Sequence, residues 1–169
     1  NEPEFLRCET ILSSFSSQGA RVVAITAKDK LRRLLGSNLD LAGGSVVFSA
    51  ETADLCTLGE NGIENVLEMV GLPLPDVYSP QLSLFVLEAG AKILERSSPN
   101  IMYLSLTDFV QHTWPPSAPE ARDFYRRVDL LLGRFAEEGA IIGVTADHGM
   151  SDKSKPDDSP NVVYLQGEL

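Results

Sequence analysis

Short apolar runs rich in β-branched residues alternate with stretches of helical periodicity along this chain, and that alternation constrains its fold more than any other feature. Residues 21–26, 45–48, 100–106 and 140–145 are too short for buried helices and read as strands. Residues 4–17, 28–35, 62–70, 80–96 and 119–138 read as helices. In the first of these Phe5, Cys8, Ile11, Leu12 and Phe15 recur at helical spacing, with Gly19 as a stop. In residues 80–96 the apolar face is Leu82, Phe85, Val86, Ala89 and Ile93; in residues 119–138 it is Phe124, Val128, Leu131, Leu132 and Phe135. Ser117 and Glu120 form a candidate capping box before that last helix, and Gly139 ends it. A proline-punctuated connector covers residues 71–80, and a polar loop at 149–160 precedes a last expected strand at 161–165. Strands alternating with helices predict an α/β fold with a parallel sheet and helices on its faces.

Composition narrows the function classes. The chain carries 24 Asp+Glu against 14 Lys+Arg in 169 residues, a formal net charge of -10, which argues against a nucleic-acid binder. Its longest strongly apolar runs fall far short of the roughly 20 residues that cross a bilayer, so no membrane association is expected. An acidic chain that handles an anionic substrate needs local positive charge, from a few lysines or from metal ions. Cys8 and Cys56 lie in no ligand spacing and read as small buried residues, without a disulfide framework. No signal peptide is visible at Asn1-Glu2-Pro3-Glu4, and a reducing cytoplasm is the expected compartment.

Polar residues collect where strands end. Residues 22–26 run into Lys28 and Lys30, residues 101–107 into Asp108, and residues 141–146 into Asp147-His148. Ligands of open parallel sheets bind outside the carboxyl ends of the strands, so these groups would converge there. Asp108 and His112 are four residues apart; on a helix both point to one side and can share a cation. Asp147 and His148 can serve one ion from a turn, or lie between two. Both histidines of the chain sit beside such an aspartate. A nitrogen and oxygen set without thiolate suits catalytic Zn²⁺, Mn²⁺ or Fe²⁺. The plainer alternatives are solvated Asp-His pairs, and for Lys28 and Lys30 a basic face shared with Arg32 and Arg33.

Thr145-Ala146-Asp147-His148-Gly149-Met150 resembles the metal-binding signature of the alkaline phosphatase superfamily, and Thr107-Asp108-x-x-x-His112 its partner motif. The stretches Val23-Ala24-Ile25-Thr26-Ala27-Lys28-Asp29-Lys30-Leu31-Arg32-Arg33-Leu34-Leu35-Gly36 and Met102-Tyr103-Leu104-Ser105-Leu106-Thr107-Asp108 resemble the phosphonoacetate hydrolases of that superfamily, with weaker support from residues 60–68 and 75–79. The resemblance implies a mostly parallel sheet with helices on both faces, residues 1–169 being part of such a domain and about 36–80 a candidate cap or insertion. It implies cleavage of the carbon–phosphorus bond of phosphonoacetate to acetate and phosphate, with two Zn²⁺ ions. Asp108 and His112 match ligands of one zinc, Asp147 and His148 ligands of the other, and Lys28 and Lys30 the pair that meets the substrate carboxylate. The implied threonine nucleophile should precede this chain and a last zinc-binding histidine should follow Leu169, so no catalytic nucleophile is expected among the residues present. A phosphodiester or another phosphonate as substrate stays open, as does a metal-binding or interaction module without catalysis. A homodimer stays open too.

Overall fold

The computed structural model describes residues 3–163 and 166. Three parallel strands form the sheet: β1 (Val22–Thr26), β2 (Val46–Ser49) and β3 (Ile101–Ser105), in the order β2-β1-β3. Val23 is registered with Val46 and with Met102, so β1 is the central strand. All five of its residues are buried, as a parallel strand covered on both faces requires. The residues of β2, within the stretch expected as a candidate cap, are fully paired into this sheet.

Pleating divides the core. Val23, Ile25, Val46 and Phe48 face one layer, made by α4 (Val66–Val70) and the long α5 (Pro80–Ser97), which contributes Leu82, Phe85, Val86, Ala89 and Ile93. Val22, Ala24 and Val47 face the other, packing with Leu12 of α1 (Ile11–Ser17) and Leu35 of α2 (Asp29–Leu35). A second helical pair extends the first layer. Leu84, Leu87 and Ala91 of α5 meet Phe124, Leu131 and Phe135 of α7 (Pro119–Glu137), with Val110 of α6 (Phe109–Thr113) beneath them. Gly90 is needed there, because a Cβ would lie 2.9 Å from Leu104 Cδ1 and 3.1 Å from the Phe135 ring. The short helix α3 (Leu58–Asn61) protects the outer edge of β2: Asn61, itself buried, donates to the Val47 carbonyl at 2.8 Å.

Several expectations change. The first helix begins at Ile11 and not at residue 4, because Thr10 and Ser13 form a reciprocal capping box that starts it there. Its buried face is Leu12, Ser13 and Ser16, while Phe5 and Ile11 are exposed. Cys8 is consequently exposed and Cys56 half-buried, so neither is the fully buried thiol expected. The helix expected over 62–70 is confined to Val66–Val70; Gly62, in the left-handed conformation, instead ends the preceding α3. Ser117 does not cap α7; Ala118 occupies the N-cap, and Pro119 supplies the pre-set first turn.

The largest change is at residues 140–145, which form no strand and leave Ile141 and Val144 exposed. A parallel strand is stable when both of its faces are covered. Beside β3 the layer of α5 and α7 would cover one face. On the other, Tyr103 is already 43% exposed. The last expected strand, 161–165, lies partly outside the described residues; 161–163 are not in a strand.

Candidate functional site

The site begins with what holds the strand ends. After β1, Thr26 Oγ1 donates to the Lys28 carbonyl at 2.8 Å, the Ala27 amide donates to the Ser105 carbonyl at 2.8 Å, and the Asp29 amide donates to Glu51 Oε2 at 2.9 Å. Lys28, on this fixed turn, and Lys30, in the first turn of α2, are both exposed. Asp29 belongs to a different set: Arg32 binds it directly, Ser49 donates to it at 3.2 Å, and Arg33 lies 3.8 Å away. The Arg32 hydrogen bond is the main reason the Asp29 carboxyl is held below its usual range. Arg32 and Arg33 are thus engaged with Asp29, whereas Lys28 and Lys30 form no ion pair among the described residues. The basic stretch is not one uniform solvated face.

After β3, Asp108 is the N-cap residue of α6, and the helix returns His112 to it as the four-residue spacing predicts. His112 Nε2 lies 2.9 Å from Asp108 Oδ2. The Lys153 ammonium lies 3.1 Å from His112 Nδ1 and donates to the His112 carbonyl at 3.3 Å. A lysine can only donate, so Nδ1 is the acceptor and Nε2–H points at Asp108. Both members of the pair are more than half exposed. Such a pair contributes about 0–1 kcal/mol, so exchanging it for a cation costs little.

Asp147 and His148 follow the unpaired segment at a bend. The His148 amide donates to Asp147 Oδ1 at 3.1 Å, and the ring Nδ1 lies 3.0 Å from the Gly149 carbonyl. Donation from Nδ1–H to that carbonyl leaves Nε2 as the ligating nitrogen. The Gly149 carbonyl raises the imidazole above its ordinary pKa, followed by the charges of Asp147 and Asp108. A proton and a metal ion compete for such a histidine, since only the neutral ring ligates.

One open cleft of about 1880 Å³ joins these groups. Lys28, Lys30, Asp108, Asp147 and His148 all line it; His112 does not, and enters only through Asp108. The donor set of two carboxylates and two imidazoles suits a divalent cation such as zinc. Among the described residues, no three His, Cys, Asp or Glu side chains gather closely enough to hold an ion on their own. The structure therefore brings five of the six predicted residues to one cleft, with the two Asp–His pairs separate from each other.

Three residues in the site escape sequence reasoning. Buried Ser83 on α5 accepts from the Thr107 amide at 3.0 Å and donates to the Thr107 carbonyl at 3.3 Å, fixing the residue before Asp108. Glu51 caps the Lys28 turn, and Lys153 meets His112. Only Lys153 had a sequence signal, its place in the polar loop after Asp147-His148-Gly149. Among the described residues no helix is long and apolar enough to cross a membrane.

No family model matches the chain. Two solved structures of phosphonoacetate hydrolase from Sinorhizobium meliloti, one in complex with phosphonoformate and one with phosphonoacetate, each match it with a TM-score of 0.89 and 50% sequence identity. The resemblance carried by the strand-end motifs thus holds for the whole architecture: over 99% of its length this chain is similar to phosphonoacetate hydrolase, and it spans 41% of that enzyme's chain.

Proposed function

We propose that this chain carries the two metal half-sites and the carboxylate-binding lysines of a zinc-dependent phosphonoacetate hydrolase of the alkaline phosphatase superfamily. The observation that carries the reading is the single cleft lined by Lys28, Lys30, Asp108, Asp147 and His148, in a chain half identical to that enzyme. In this reading Asp108 and His112 hold one Zn²⁺, and Asp147 and His148 hold the other. The ions would supply Lewis-acid stabilisation of charge on the phosphoryl oxygens. Water and phosphonoacetate give phosphate and acetate as the carbon–phosphorus bond breaks. Its electron pair remains on the departing carbon, where the adjacent carboxylate spreads it as an enediolate until a proton, supplied overall by the water consumed, completes the methyl group of acetate. Lys28 and Lys30, which form no ion pair among the described residues, bind that carboxylate and stabilise the charge it gains. They also answer the electrostatic problem of a chain with net charge -10, because the positive charge is needed only locally. The attacking threonine is assigned outside this chain.

The test is phosphate release from phosphonoacetate by the zinc-loaded full-length protein, compared with Asp147→Ala and His148→Ala. Loss of turnover by a factor of 10³ or so is expected in each, about 4 kcal/mol of barrier. Retained turnover in both variants would remove them from the site. Preference for a nitrophenyl phosphodiester over phosphonoacetate would overturn the substrate assignment.

A further inference from the structure

Tyr78 exposes 74% of its surface, yet its ring is not idle: the Lys28 ammonium lies 5.4 Å from its centroid. That distance is within the range in which a cation is drawn to the face of an aromatic ring. The two residues come from distant parts of the chain, and both backbones are fixed. The Thr26 hydroxyl and the Glu51 carboxylate hold the Lys28 turn. On the other side, the Tyr78 amide donates to Asp76 Oδ1 at 2.7 Å and the Ser79 hydroxyl donates to the Asp76 carbonyl at 2.7 Å, an Asx turn that leads into α5 at Pro80.

The choice of partner matters. Arg32, Lys92 and Arg134 are each held by carboxylates, which consume their charge. A neutral ring restrains a lysine without neutralising it. A long lysine side chain loses conformational freedom when it grips a ligand, and a ring that limits that freedom in advance lowers the cost of binding. We propose that Tyr78 is a positioning residue for Lys28, holding its ammonium at the cleft so that it meets the carboxylate of an anionic substrate already oriented. This rests on the reading in which Lys28 receives that carboxylate.

The test compares Tyr78→Leu with Tyr78→Phe in the zinc-loaded full-length protein. An exposed cation–ring contact corresponds to roughly a two- to fivefold change in an equilibrium constant. Tyr78→Leu is therefore expected to raise KM for phosphonoacetate about two- to fivefold with kcat little changed, and Tyr78→Phe, which keeps the ring face, to restore it. In a Lys28→Met background Tyr78→Leu should have no further effect. Separately from activity, the Lys28 ε-protons should show an upfield ring-current shift by NMR in the unaltered protein and in Tyr78→Phe, lost in Tyr78→Leu. An unchanged KM in Tyr78→Leu, an equal effect with Lys28 removed, or a ring-current shift that survives Tyr78→Leu overturns the proposal. Failure of the functional reading is seen elsewhere, as absent turnover by the unaltered protein; the ring-current comparison then still decides whether Tyr78 holds Lys28.

Discussion

Replacing Ser83 with alanine removes the hydroxyl through which α5 holds the residue before Asp108. Ser83 is 1% exposed and makes both of its contacts to one residue, accepting from the Thr107 amide at 3.0 Å and donating to the Thr107 carbonyl at 3.3 Å. Each such bond contributes about 1 kcal/mol net, and a half-buried amide left without a partner costs about 1–3 kcal/mol. The carbonyl can turn toward water, so the amide dominates and the expected destabilisation is about 2 kcal/mol. With a urea slope of about 2 kcal/mol per molar, the unfolding midpoint should fall by about 1 M with the slope unchanged. The function-linked part is separate. Asp108 and His112 are the proposed ligands of one zinc, and loosening a group that orients a metal ligand commonly weakens binding about 10- to 100-fold. Titration calorimetry of zinc into Ser83→Ala should show that loss at the site containing Asp108. A midpoint shift below about 0.2 M would refute the clamp. A full shift in stability with undiminished zinc affinity would refute its connection to Asp108.

Two other perturbations follow from local geometry. Gly62 has φ +68°, and a Cβ there would stand 2.1 Å from the Ser45 carbonyl oxygen, a backbone atom that cannot swing aside. Gly62→Ala should cost at least about 2 kcal/mol and lower Tm by about 5 °C or more; an unchanged Tm would show that the end of α3 is not held against β2. The thiols should differ in reactivity, because burial pushes Cys56 up to about 11 while Cys8 is exposed. At pH 8 a disulfide reagent should label one thiol per chain quickly and the other slowly, with the fast phase lost in Cys8→Ser. Equal rates for the two would contradict their placement.

Much of this site is readable from local pattern. The four-residue spacing of Asp108 and His112 needs only a helical turn to bring them together, and α6 supplies it. The apolar face of residues 80–96 emerges intact, with Leu82, Phe85, Val86, Ala89 and Ile93 all buried. Where periodicity misled, a local competitor or a missing neighbour was responsible. Thr10 and Ser13 capped a helix that the spacing of Phe5 and Cys8 would have begun earlier. Residues 140–145 have the composition of a buried strand, but pairing depends on a neighbouring edge and on covering layers, which composition does not record.

The sequence by itself determined the α/β class, the parallel β1 and β2 runs with their flanking helices, and the six polar residues at or near the cleft, because each is written in residue spacing or in a short motif. Only the tertiary structure decided that β1 lies between β2 and β3, that Ser83 grips Thr107, that Tyr78 faces Lys28, and that Asp147 and His148 leave an unpaired segment. Those contacts join segments distant along the chain, and their existence depends on register and on which layers cover which face. Spacing within a segment records the face that segment buries, but not what it is buried against.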